Sequence, residues 1–176
     1  VIAGASPSQP GIVQGASAMA AIQGKLIPTT FSKSWYAINS TNLNAGSIYH
    51  LMSIRNPYQK AGKLNTQELL FQDLTVSEQG NDPSIVHIFI NANTSSSLIF
   101  NTLPNSVAYQ STQIGPTMNT ATDLPVASLT LGLNGTSQFD LTPYRLTLAP
   151  GDTLSVAIQS TSQLTRTAVG LIWIPD

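Results

Sequence analysis

Two histidines, His50 and His87, are the side chains of this sequence best suited to general acid–base work or to metal binding. Both sit in runs that alternate apolar and polar residues, "SIYHLMSIR" and "SIVHIFINA", and such runs read as strands rather than loops. Two imidazoles could begin a metal site if a carboxylate joined them. The acids Glu68, Asp73, Glu78, Asp82, Asp123, Asp140 and Asp152 stand singly, with no paired spacing of the kind that would mark a glycosidase. Asp152 closes the Pro150-Gly151 turn and Asp82 belongs to Gly80-Asn81-Asp82-Pro83, so turn chemistry accounts for both. The serines show neither Gly-x-Ser-x-Gly nor a phosphate-cradling glycine loop. With no cysteine, disulfides, thiolate nucleophiles and Cys-ligated metals are excluded. The expectation is a protein that is not an enzyme, with no catalytic residue, no metal ligand and no cofactor.

The aromatic residues offer a second kind of chemistry. Trp35, Tyr36, Tyr49, Tyr58, Tyr109 and Tyr144 could stack on sugar rings. Trp35, Tyr49 and Trp173 occupy alternating strand positions that a core would fill. Carbohydrate binding is therefore the alternative reading, and it rests on the aromatics left over.

The elements that must hold these residues are short. Strands are predicted near 30–39, 48–55, 67–77, 85–91, 97–101, 106–110, 126–133, 138–147, 153–160 and 166–174, separated by Asn-Gly, Asn-Pro, Gly-Pro and Pro-Gly signals. "LTPYRLTLAPGDTLSVAIQST" (141–161) alternates through Leu146 and Leu148, turns at Pro150-Gly151, and resumes at Leu154, Val156 and Ile158, which predicts a hairpin with one apolar face. In "SIVHIFINA", Val86, Ile88 and Ile90 share one face and Ile85, His87 and Phe89 the other, which predicts a strand buried on both sides. "TAVGLIWIP" repeats the arrangement, and Asn101 to Asp123 is the expected protruding loop. The absence of a fixed repeat or a long helical pattern leaves an all-β fold, an antiparallel, jelly-roll-like β-sandwich.

Length and charge bound the rest. The 176 residues suit one domain, here expected at 25–176. Charged residues are 9% of the chain, and the net charge of −1 comes without any basic cluster, so nucleic acid is not an expected direct partner. So neutral a surface suits a subunit packed at high density. No apolar run reaches a membrane span, the amino end lacks a signal-peptide pattern, and a start at Val1 fits a processed or trimmed product. Residues 1–24 carry no charge and several glycines and prolines. They read either as a disordered terminus or, because they carry the aliphatic side chains Ile2, Ile12, Val13, Met19 and Ile22, as an extended arm laid on a neighbouring subunit.

"LTLAPGDTLSVAIQS", the closing "TAVGLIWIPD" and "KLIPTTFSKSWYAINSTNLNAGSIYHLMSIR" together resemble the β-sandwich virion proteins of tailed bacteriophages, in which a "L-x-PGD-x-L" turn and an aliphatic-Trp closing strand are common. The resemblance implies an assembly role, most of all that of a capsid decoration protein on the virion exterior. Its implied partners are other copies of itself and a major capsid protein. The same turn recurs in fibronectin-like and adhesion modules, so a tail or fibre component, or an adhesin recognising host surface glycans, is the implied alternative. No catalytic residue is transferred by it.

Overall fold

Apolar residues recurring at every second position put alternate side chains on opposite faces of a strand, and frequent Gly, Pro and Asn leave no room for long helices. The computed structural model describes residues 31–175, and these form β1 (Lys33–Asn39), β2 (Ile48–Arg55), β3 (Gln59–Lys60), β4 (Lys63–Leu64), β5 (Leu69–Gln79), β6 (Ser84–Ile90), β7 (Asn101–Thr102), β8 (Tyr109–Ser111), β9 (Ala127–Leu131), β10 (Thr136–Asp140), β11 (Thr147–Leu148), β12 (Thr153–Ser160) and β13 (Arg166–Pro175). The expected arm, with Ile2, Ile12, Val13, Met19 and Ile22, lies outside the described residues.

All the strand pairings are antiparallel, and the strands form two main sheets. One runs β1-β13-β5-β10, with β11 also paired to β5; the other runs β7-β8-β2-β12-β6-β9. Eight strands have five or more residues. Counted in chain order, these lie first-eighth-third-sixth in one sheet and second-seventh-fourth-fifth in the other. That interleaving is the jelly roll, and the fold is an antiparallel β-sandwich as the sequence predicts.

The inner faces supply the core. Phe71, Leu74, Leu171 and Trp173 from the first sheet meet Met52, Ile54, Ile88, Leu154, Val156 and Ile158 from the second, all fully buried. Burial of this kind contributes about 1.5–3 kcal/mol per large side chain. In β1 the alternation splits Trp35 and Ala37, packed on the core, from Tyr36 and Ile38, which face out. β6 and β13 are interior strands, and β6 is buried on both faces through Ile88 and Phe89, as their apolar patterns predict.

The structure corrects four sequence readings. The Pro150-Gly151 turn forms, with Asp152 N–H donating to the Ala149 carbonyl at 3.0 Å and Gly151 at φ +104°, but it does not close a hairpin. Its first arm, β11, pairs with β5 while its second, β12, pairs with β2 and β6, so the turn carries the chain from one sheet to the other. Fully buried Asn56 anchors this crossing: its carbonyl accepts from Gly151 N–H at 2.6 Å, and its Nδ2 donates to Leu148 O at 2.9 Å and to Gln67 O at 2.8 Å. The strand expected at 138–147 is divided into β10 and β11 by a 3-10 turn at Thr142–Tyr144, where Pro143 opens the turn and Arg145 takes a left-handed conformation. The expected strand 97–101 is mostly loop, with only β7 beginning at Asn101.

The fourth correction concerns Asn101 to Asp123. Its middle lies down on the outer face of the six-stranded sheet instead of protruding. Met118 N–H donates to Ile48 O and Pro116 O accepts from His50 N–H, each at 2.9 Å, and Met118 packs with Phe89 and Ala157. An apolar strand such as β6 needs cover on both faces, and this segment supplies it.

Candidate functional site

Both histidines project from the outer face of the six-stranded sheet, in register with Ala157 on either side of it. Neither is free for a ligand. The Gln113 carbonyl can only accept, so the neutral His50 ring keeps its proton on Nδ1 and donates to it at 2.7 Å. Nε2 then accepts from Ser53 Oγ at 2.7 Å, and Ser53 in turn accepts from Ser155 Oγ at 2.6 Å. A serine hydroxyl aimed at an imidazole is the geometry of an activated nucleophile. Here His50 and Ser53 are both completely buried, so the chain acts as a polar staple between β2, β12 and the covering segment. Burial holds the His50 pKa below its ordinary value, partly opposed by its bond to Gln113. His87 is likewise engaged, with Ser128 Oγ at 2.8 Å on Nδ1 and Gln159 Oε1 at 3.1 Å on Nε2. Among the described residues no group of three His, Asp or Glu side chains is placed to hold a metal ion.

Glu78, on β5, borders a cleft with Asn81, Asn134, Gln163 and Arg166. Its side chain is only 3% exposed, and neither carboxylate oxygen makes a hydrogen bond of normal geometry. Burial pushes its pKa up; the nearby backbone amides of Gly135 and Asn134 oppose this only in part. Among the described residues no second carboxylate lines the cleft, so they assemble no paired acid and base there.

The aromatic residues divide as their positions predict. Trp173 is fully buried and Trp35 and Tyr49 pack on the core, while Tyr36, Tyr58 and Tyr144 are exposed. Tyr58 and Tyr109 border a groove of about 580 Å³ on the outer face of the six-stranded sheet. Its floor is a row of side chains in register across three strands: Tyr109 on β8, Arg55 on β2 and Thr153 on β12. The wall comes from the loop after β6, where Phe100 lies beneath the Arg55 guanidinium at 3.7 Å. Arg55 Nε donates to Thr153 Oγ1 at 3.1 Å, and among the described residues Arg55 is the single charged side chain of the lining. Arg55 and Phe100 were not among the residues singled out from sequence; the alternation of "IYHLMSIR" puts Arg55 on the face away from the core, which is the signal that could have found it.

The outer face of the other sheet carries a different surface. Tyr36 and Ile38, 66% and 69% exposed, form one side of a shallow trough. Gly170 is the register partner of both Tyr36 and Thr75, and it floors the trough because a Cβ there would crowd Thr75 Oγ1. Among the described residues no charged side chain lines it. β1 is also an edge strand, and among the described residues its outer rim of N–H and C=O groups has no strand partner.

No family model matches the chain, and no curated protein matches it.

Proposed function

We propose that this chain is a non-enzymatic structural subunit of a virus particle, of the kind that decorates the capsid exterior of a tailed bacteriophage and cements neighbouring subunits. The observation that carries the reading is the trough beside edge strand β1, with Tyr36 and Ile38 held out to solvent and no charge in its lining among the described residues. Exposed apolar side chains beside an unpaired strand edge are what a soluble monomer avoids and a packed subunit uses. Covering them strands no buried charge, which keeps the desolvation cost of a large contact low. The jelly-roll strand order and the resemblance of the Pro-Gly-Asp and closing Trp strands to phage virion proteins support the same reading. The uncharged arm, residues 1–24, is a second surface for a neighbouring copy or a major capsid protein.

The test compares particle occupancy with thermal stability. Tyr36→Ser together with Ile38→Ser, and separately deletion of residues 1–24, are each expected to lower incorporation into oligomers or particles while the melting temperature of the isolated chain stays within a few degrees of the parent. Full occupancy by both variants would sink the proposal.

A further inference from the structure

We propose that the groove floored by Tyr109, Arg55 and Thr153 binds a saccharide that carries a carboxylate. This site lies on the opposite sheet from the proposed assembly surface and does not depend on it.

The argument starts from the state of Arg55. A guanidinium has five N–H donors in one plane. The face of that plane rests on Phe100 at 3.7 Å, and Nε is taken by Thr153 Oγ1 at 3.1 Å. Among the described residues the two terminal nitrogens have no hydrogen-bond acceptor, and the side chain forms no ion pair. Stack and hydrogen bond together fix the rotamer, so a ligand meeting the free edge does not have to order a long side chain. A planar fork held in this way matches a carboxylate through two parallel N–H···O bonds.

The acids bonded to the groove's asparagines do not fill that role. Asp152 accepts from Asn91 Nδ2 at 2.8 Å and Asp123 accepts from Asn93 N–H at 2.9 Å, so each carboxylate braces the loop that borders the groove. The rest of the lining suits a ring with one apolar face and a hydroxyl-bearing rim. Tyr58 is 71% exposed, and its ring packs against Gly151, where a Cβ would collide with it. It lines the same groove as Phe100 and Tyr109, together with Asn91, Asn93, Thr94 and Thr153. Convergent aromatic and polar groups in a concave surface are the general form of a small-ligand site. A single cation recognises one carboxylate; a nucleic acid backbone would call for several, and the chain's net charge of −1 with no basic cluster does not supply them.

The experiment uses the full chain and titrates 3′-sialyllactose and trigalacturonate, with lactose as the uncharged control, by calorimetry at physiological salt. Saturable binding of at least one acidic probe, with lactose about tenfold or more weaker, is the expected result. Arg55→Gln should remove that preference, and Tyr58→Ala should weaken the acidic probe by about tenfold, roughly the loss of one good contact. Tyr58 projects from the surface, so its variant tests the site even if the strand substitution harms folding. No binding by either acidic probe, equal affinity for lactose, or unchanged affinity in a folded Tyr58→Ala variant would each overturn the assignment.

Discussion

His50 Nε2 accepts a hydrogen bond from Ser53 Oγ at 2.7 Å while its Nδ1 donates to the Gln113 carbonyl, and both His50 and Ser53 are fully buried. Charging this ring costs more in the folded chain than in the unfolded one, because burial disfavours the imidazolium. With the folded pKa below the ordinary value of about 6.5, the unfolded state binds more protons as the pH falls through that region. Stability should therefore decline between pH 7 and pH 5, and His50→Gln should flatten that decline even though it lowers the melting temperature at pH 7. Melting curves at the two pH values decide it; an equally steep decline in the variant would assign the effect to other groups.

Glu78 works in the other direction. Its pKa is raised by burial, so the native state holds the proton more firmly than the unfolded chain, and the stability it contributes below its unfolded pKa is lost as the pH rises through its folded pKa. Glu78→Gln should raise the melting temperature at pH 8 by about 3 °C, the scale of roughly 1 kcal/mol in a domain of this size. At pH 4 the gain should vanish. A variant less stable than the parent at pH 8 would mean that the ionised carboxylate has a partner worth keeping.

Gly151→Ala should cost about 1–3 kcal/mol, since φ +104° strains any residue with a Cβ and that Cβ would run into the Tyr58 ring. Adding Tyr58→Ala should recover only the collision and leave the backbone strain. Denaturant unfolding of the single and double variants separates the two; full recovery would show that the turn tolerates alanine.

Val156→Asp places a carboxylate among Leu154, Ile158 and the facing sheet at a position with no solvent exposure. The loss should exceed about 4 kcal/mol and abolish cooperative melting. A melting temperature within a degree or two of the parent would contradict the inward facing of that strand.

The strands that sequence located best are those with unbroken alternation between firm turn signals. β2 and β12 fall at 48–55 and 153–160 as predicted, and the division of Trp35 from Tyr36 follows from the same period of two. Turn chemistry is legible too, but it specifies a reversal of the chain and not the sheet that each arm joins. Pro150-Gly151 therefore looked like a hairpin, while Asn56, far away in sequence, decides that it is a crossing. The groove shows the same limit. Tyr58 and Tyr109 stood out as aromatics without a core position, yet nothing local links Arg55 to Phe100, whose stacking exists only after the loop following β6 folds back over the sheet.

The interleaved strand order has a consequence for how the chain reaches this state. β12 lies between β2 and β6, and β13 lies between β1 and β5, so the last two strands in sequence are the ones that join the halves of both sheets. Until they are made, β1 has no strand partner among the described residues, and β2 and β6 remain apart. High contact order of this kind makes folding slow, and it makes folding during synthesis unprofitable until the final strands have left the ribosome. A nascent chain halted after β10 would present the apolar faces of β2 and β6 to its neighbours, and would be prone to aggregate rather than wait.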